Sequence, residues 1–134
     1  MADRGALANF AVAWALTIGI ESVVLWFGLA PRHTAGTRVF AGLWLSSCTL
    51  PVVHFVFPAL RGLGMSAAGW IGLAEVFAPV AECLLFALVL APGSAAAHGV
   101  IPRGERGRDF AAIVAANLAS VGVGLLLARA AFLT

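Results

Sequence analysis

The chain contains no lysine and no tyrosine, and only 10% of its 134 residues are charged. A soluble domain of this length carries roughly a quarter charged residues. The polar surface is therefore too small to cover a water-soluble globule. The basic residues are eight arginines, the net charge is only +2, and no run of basic residues occurs. Nucleic-acid binding is therefore not expected.

Motifs of common enzyme classes are also missing. The sequence has no phosphate-binding loop, no GxSxG, no HExxH and no tandem carboxylate–histidine spacing of the di-iron type. Its two cysteines, Cys48 and Cys83, form no CxxC and no paired metal spacing, so we interpret them as small buried hydrophobes. The sequence thus favours a protein that is not an enzyme. It identifies no cofactor and leaves open a bound cation or metal ion.

The chain has, instead, 62% hydrophobic residues and a mean hydropathy of +1.02, concentrated in four long apolar runs. A transmembrane helix needs about 20 apolar residues. We predict spans at about residues 6–30, 39–58, 67–91 and 110–133, with Ser66 as the N-cap of the third and Asp109 at the N-terminus of the fourth. The first run is too long for the h-region of a signal peptide, so we interpret it as a retained helix.

Short loops between these runs make sequential helices antiparallel. The sequence therefore predicts an all-α polytopic membrane protein, a single membrane domain over residues 1–134, folded as an antiparallel up-down four-transmembrane-helix bundle. Loops one and three carry five arginines and the other face three. By the positive-inside rule this small bias favours these two loops in the cytoplasm, in what we expect to be a bacterial inner membrane, and leaves open insertion in both orientations. His33 and His98, within these loops, should be solvated.

Three glutamates, Glu21, Glu75 and Glu82, lie within the apolar runs. An ionisable side chain at that depth costs roughly 2 to 3.5 kcal/mol. At 1.5 Å per residue, counted from the face that holds the termini, Glu21 and Glu82 lie at a similar depth of about 20 Å. Glu75 lies closer to that face, at about 12 Å, and His54 at about 6 Å. The predicted neutral side chains around them are Ser47, Thr49, Asn117 and Ser120, with Thr49 at the level of Glu75.

The leading functional hypothesis is a small proton- or cation-coupled transporter or a channel-like subunit. Glu21 and Glu82 would form its central ion- or proton-binding site, because neutralisation by a proton or a cation is the cheapest electrostatic solution for buried acids. Glu75 and His54 would form an access relay. The neutral ligands would be Asn117, Ser120 and Ser47. A bundle of this size has little room for a private pathway, so we expect a homo-oligomer or a subunit of a larger membrane complex in the lipid bilayer.

Two alternatives belong to other classes. In an accessory or assembly subunit of a larger complex, the polar cluster would serve packing or partner contact. In a metal-dependent membrane enzyme, Glu21, Glu75, Glu82 and His54 would hold a metal, since oxygen donors with one imidazole suit iron, manganese or zinc.

The stretch TIGIESVVLW around Glu21, together with the size and the four spans, resembles the small multidrug resistance transporters. In that family a single acid in the first helix binds a cationic drug and a proton in turn, within a dimer. The resemblance implies that role for Glu21. The chain departs from the family by adding Glu75 and Glu82 in the third span, so the likeness is limited to the first.

Overall fold

The computed structural model describes residues 4–90 and 103–131. Its four α-helices are α1 (Arg4–Gly28), α2 (Ala35–Pro51), α3 (Ala67–Leu85) and α4 (Arg103–Ala131). α2 continues as a π-helical turn, Val52–Val56, and then as a 3-10 helix, Phe57–Leu63, while α3 continues as a second π-helical turn, Phe86–Leu90. Within the described residues there is no β-strand, which confirms the all-helical class.

Four helical stretches are long and apolar enough to cross a membrane: Leu7–Gly28, Ala35–Leu63, Ala67–Leu90 and Gly104–Leu127. The second stretch continues past Pro58, where the prediction ended it, because proline is tolerated in the first turn of the 3-10 helix. The fourth helix begins at Arg103 instead of near residue 110, so Asp109 lies six residues inside it and not at its N-terminus. The predicted end of the third span at residue 91 lies outside the described residues, as does His98.

N-cap side chains define the starts of α2 and α3. Ser66 accepts a hydrogen bond from the backbone N–H of Gly69 at 3.1 Å, which confirms it as the N-cap of α3. Thr34 caps α2 in the same way, accepting from Thr37 N at 3.2 Å. Between these helices, Gly64 has φ 85°, a left-handed conformation that glycine adopts at little cost, and it ends the 3-10 helix.

The C-terminal end of α1 is capped by arginines from two other helices. Arg108 of α4 donates from Nε to Gly28 O at 2.9 Å. Arg38 of α2 donates to Trp26 O and, at 2.9 Å, to Ala30 O. These guanidinium groups satisfy carbonyls that have no partner inside the helix, so they join α1 to both of its neighbours.

α1 packs against α2 and α4, and α3 packs against the same two helices. The buried hydrophobic side chains form one cluster between them. We call this cluster the apolar layer, and its members are Leu25, Leu29, Ala41, Leu45, Phe86, Ala112, Ile113 and Ala116.

α1 and α2 approach most tightly at Gly42, where an added Cβ would lie 2.8 Å from the Cα of Ser22. Backbone cannot swing aside as a side-chain tip can, so Gly42→Ala should lower the free energy of unfolding by about 1–3 kcal/mol. Equilibrium unfolding in detergent, followed by tryptophan fluorescence, measures this. The control is Gly122→Ala, whose Cβ meets nothing within 4 Å and which should be neutral or stabilising by up to about 1 kcal/mol. Equal effects of the two changes would contradict the close approach.

Candidate acidic site and its cavity

Glu21 of α1 and Glu82 of α3 are both buried, each 2% exposed, and we call them the glutamate pair. The carboxyl group of Glu21 accepts one hydrogen bond from each of the helices beside it. Ser46 of α2 donates to Oε2, and Ser120 of α4 donates to Oε1 at 3.0 Å. Glu21 thus joins α1 to both α2 and α4.

Glu82 is held in the same way from the opposite side. Thr49 of α2 donates to Oε1 at 2.7 Å, and the amide of Asn117 on α4 donates to Oε2 at 2.7 Å. The second amide hydrogen of Asn117 has its own acceptor, Ile113 O at 3.1 Å. Both carboxyl oxygens of Glu82 therefore have a neutral donor.

A spacing of three residues makes this double arrangement possible. Ser46 and Thr49 on α2, and Asn117 and Ser120 on α4, are each i and i+3, so each pair occupies one face of its helix. On each helix one member faces Glu21 and the other faces Glu82. The four donors and two acceptors consequently connect all four helices at one level.

The three hydroxyl groups of this arrangement each have a second acceptor. Each lies between 2.9 and 3.2 Å from a carbonyl oxygen of its own helix. A hydroxyl has one hydrogen, so it donates either to the carboxyl group or to that carbonyl. The hydroxyl–carbonyl pairs are Ser46 with Gly42, Thr49 with Leu45 and Ser120 with Asn117.

A cavity of about 160 Å³, lined by all four helices, reaches the glutamate pair. It is large enough for several water molecules. Glu75 and His54 also line it, and both are exposed, so they mark the end at which it opens. Within the described residues no hydrogen bond or ion pair joins Glu75 to His54, and the His54 ring packs edge-on against Phe10 at 5.4 Å.

The cavity and the apolar layer lie on opposite sides of the glutamate pair. On α1, the cavity residue Thr17 precedes Glu21 and Leu25 of the apolar layer follows it. On α3, Ala78 of the cavity precedes Glu82 and Phe86 of the apolar layer follows it. The described residues thus leave the carboxyl groups accessible from one end of the bundle and closed from the other.

A second polar cluster, the Asp109 network, lies beyond the apolar layer. Asp109, 1% exposed, accepts from Ala30 N at 2.8 Å and lies 3.0 Å from His33 Nε2. Arg32 pairs with Asp109 and also with Glu105, the latter at 2.7 Å. The expectation of a solvated His33 is therefore wrong, since its side chain is buried between Asp109 and the edge of the Phe86 ring. The Asp109 carboxylate holds the first loop against α4 through Arg32 and His33. No sequence motif indicates this pairing.

The structure places Ser47 apart from the site for which it was predicted. Its hydroxyl donates to Leu43 O of its own helix at 2.6 Å, whereas the preceding residue, Ser46, reaches Glu21. Adjacent residues on an α-helix point about 100° apart, so only one of two neighbouring serines can face the bundle interior. The correct neutral ligand is Ser46.

These adjacent serines give a matched test. Ser46→Ala removes one of two donors to a buried carboxyl and should lower the free energy of unfolding by about 1–3 kcal/mol. Ser47→Ala breaks only a bond within α2 and should change it by less than about 0.5 kcal/mol. Unfolding of both variants in the same detergent measures the difference. A larger loss for Ser47→Ala would show that the helix is rotated from the orientation described.

Thr49 was predicted at the level of Glu75, and that prediction is wrong, because it bonds to Glu82. The cause is the length of the second helical stretch. It extends to Leu63, five residues past the predicted end at Pro58, and at the 2.0 Å rise of a 3-10 helix this moves Thr49 about 10 Å deeper. The other predicted residues, Asn117 and Ser120, lie where the sequence placed them, beside the glutamate pair.

Within the described residues, no group of three or more His, Cys, Asp or Glu side chains is placed to hold a metal ion. The four metal-ligand candidates, Glu21, Glu75, Glu82 and His54, therefore line one cavity without converging on a point. The carboxyl oxygens of Glu21 and Glu82 accept hydrogen bonds from hydroxyl and amide donors of the neighbouring helices.

Fold and site together define a class of protein: an all-helical chain with four helices apolar enough to span a membrane and two buried glutamates at the base of a one-sided cavity. Comparisons of the chain with models of known families, with curated proteins and with solved structures found no match.

Proposed function

We propose that this chain is a small integral membrane protein that takes up and releases a proton at the glutamate pair, as a proton- or cation-coupled transporter or as a channel-like subunit. The proposal includes an up-down bundle, with loops one and three in the cytoplasm of a bacterial cell. Neighbouring helices support this topology, because contacts that advance along α1 from Glu21 to Ala30 move backward along α4 from Ser120 to Asp109.

The distribution of polarity supports insertion into lipid. Large apolar side chains on the outside of the helices are strongly exposed, for example Phe27 at 74%, Leu88 at 73% and Leu118 at 67%. The buried side chains, in contrast, include Glu21 and Glu82. A polar interior surrounded by an apolar exterior is the pattern of a bundle in lipid and the reverse of a soluble domain.

The observation that carries the functional proposal is the position of two buried carboxyl groups at the base of a cavity, held only by neutral donors. In the described part of the chain, no arginine bonds to Glu21 or Glu82, and the sequence has no lysine. A buried carboxylate without a cationic partner is expensive and becomes neutral by taking up a proton or a cation. The cavity provides the route by which either one arrives.

The hydrogen bonds around Glu82 suit both of its protonation states. When Glu82 is charged, Thr49 donates to its Oε1. When it is neutral, Oε1 can carry the proton and donate to Thr49, whose own hydrogen turns to Leu45 O, 3.2 Å away. Asn117 donates to the other carboxyl oxygen in both states. In both states each carboxyl oxygen of Glu82 has a hydrogen-bond partner, so uptake and release need no repacking.

The hydrogen bonds around Glu21 also suit both protonation states. Both of its donors, Ser46 and Ser120, have a carbonyl of their own helix as an alternative acceptor. In this proposal Glu75 and His54, which line the open end of the cavity, pass protons between solvent and the glutamate pair. A small cation that enters the cavity would compete with protons for the same carboxyl groups, and this competition is the coupling that we propose.

Proton movement in proteoliposomes tests the proposal. Purified protein is reconstituted with a pH-sensitive dye inside, a pH gradient is imposed, and small inorganic and organic cations are then added in turn. We expect protein-dependent proton flux above that of protein-free liposomes, and a change in that flux when a competing cation is present. Flux indistinguishable from protein-free liposomes under every gradient and cation would contradict a transport function.

A second candidate, an accessory subunit, is favoured by one observation. A mostly apolar open groove of about 310 Å³ runs between α1 and α4 and shares Thr17 and Ser120 with the cavity. A helix of a partner or of a second copy would fill it. Co-purification of a stoichiometric partner from mild detergent, together with the absence of proton flux, would favour this candidate over transport.

A further inference from the structure

The apolar layer separates two polar regions along the bundle axis. On α4, Asn117 of the acidic site and Asp109 of the Asp109 network are eight residues apart, about 12 Å along the helix. Ala112, Ile113 and Ala116 lie between them and are buried. A proton or cation that reaches the glutamate pair through the cavity is therefore stopped by roughly two helical turns of packed hydrocarbon.

Phe86 lies at the C-terminal end of α3, between the glutamate pair and the Asp109 network. It follows Glu82 by four residues, so it lies on the same face of α3, and it is 1% exposed. Its ring makes an edge-on contact with the ring of His33, with centroids 5.3 Å apart. His33 in turn lies against Asp109. Phe86 is also the largest side chain of the apolar layer.

The backbone changes at the same residue. α3 is α-helical to Leu85 and π-helical from Phe86 to Leu90. A π turn holds one residue more than an α turn, and such turns are frequent at functional sites. Conversion of this turn to α-helix would shift the register by one residue within Phe86–Leu90 and change the direction of the side chains of the turn itself. The chain thus has, at Phe86, a local way to move a ring without unfolding a helix.

We infer that Phe86 is the gate of the pathway: its ring closes the route between the glutamate pair and the opposite face, and the Asp109 network keeps it closed through His33. This inference rests on the proposed function, since a gate has a role only where something passes. When the ring is in place, the glutamate pair exchanges with the cavity alone. When the π turn rearranges, the pair is exposed toward the Asp109 network, which gives alternating access.

Thiol labelling tests the gate without any need for transport. In a background with Cys48→Ala and Cys83→Ala, Ala116→Cys places a thiol inside the apolar layer, next to Asn117. In the reconstituted protein a small water-soluble thiol reagent should label this position slowly. With Phe86→Ala added, labelling should be at least about tenfold faster, equivalent to roughly 1.4 kcal/mol in the opening equilibrium. Phe86→Leu, which refills most of the space, should return the rate close to that of the parent.

The matched control is Phe57→Ala, which removes a buried ring that packs on Phe77 on the cavity side and should leave labelling unchanged. If Phe86→Ala does not fold, Asp109→Asn loosens the support of His33 without touching the apolar layer and should also increase labelling. Unchanged labelling in the folded variants, or an equal increase with Phe57→Ala, would overturn the gate. Failure of the transport proposal is seen separately, as absent proton flux in a protein whose labelling still responds to Phe86.

Discussion

Replacing both members of the glutamate pair, Glu21→Gln with Glu82→Gln, is expected to reduce protein-dependent proton flux in proteoliposomes to the level of protein-free liposomes. Glutamine keeps the shape of glutamate and its hydrogen-bonding reach but cannot gain or lose a proton. If the flux passes through these carboxyl groups, no other residue in the described part of the chain can take their place at the base of the cavity.

The double variant should still fold, which separates loss of function from loss of structure. At position 82 the glutamine amide N–H₂ can face Thr49 and its oxygen can accept from Asn117, provided that the Thr49 hydroxyl turns to Leu45 O. This is the arrangement proposed for protonated Glu82. We therefore expect the free energy of unfolding in detergent to be unchanged or slightly higher, because an amide has a lower desolvation cost than a carboxylate.

Two single changes serve as controls for this experiment. Ser47→Ala removes a hydroxyl that bonds only within α2 and should leave the flux unchanged. Glu75→Gln, at the open end, should slow the flux without abolishing it, because the cavity still opens to solvent beside this exposed side chain. Flux that remains pH-dependent in the folded double variant would rule out the glutamate pair as the coupling site.

Much of this arrangement follows from the sequence because lipid-compatible helices obey strong constraints. Four apolar runs predict four long helices, and three acids within them indicate an inward face. Counting residues along each helix places Glu21, Glu82, Asn117 and Ser120 at one depth. Hydrogen bonds join them there as two pairs, Asn117 with Glu82 and Ser120 with Glu21. For these residues helical periodicity determines both depth and direction.

The errors occur where local rules decide between close alternatives. Ser46 and Ser47 differ by one position, and the predicted face of α2 was about 100° from the observed one. Thr49 was placed too shallow because Pro58 was interpreted as a helix end, although the 3-10 helix accommodates it. An error of a few residues at the end of the second helical stretch therefore assigned Thr49 to the level of Glu75 instead of Glu82.

The Asp109 network could not be found from the sequence at all. Its members come from two segments more than seventy residues apart, and each has an ordinary explanation in isolation as a loop charge or a helix-capping acid. Only the fold brings the first loop to α4. The missing information is tertiary, and neither periodicity nor motif contains it.

The second large effect concerns the stability that this network provides. Asp109→Ala should lower the free energy of unfolding by about 3–5 kcal/mol, the usual result of removing one partner from a buried ion pair. The change leaves Arg32, whose side chain is 6% exposed, without its buried partner, and the N–H of Ala30 without an acceptor. It also removes the group that faces His33. Reversible unfolding in mixed micelles, followed by tryptophan fluorescence, measures the loss.

Glu105→Ala is the matched control, because it removes the other carboxylate that binds the same arginine. The Glu105 side chain is 38% exposed, so its ion pair with Arg32 is screened by solvent and should contribute less than about 1 kcal/mol. Asp109→Asn should fall between the two, since the amide oxygen can still accept from Ala30 N while the charge is lost. Similar losses for Asp109→Ala and Glu105→Ala would mean that burial does not strengthen the network, and the closed end of the bundle would then depend on the apolar layer alone.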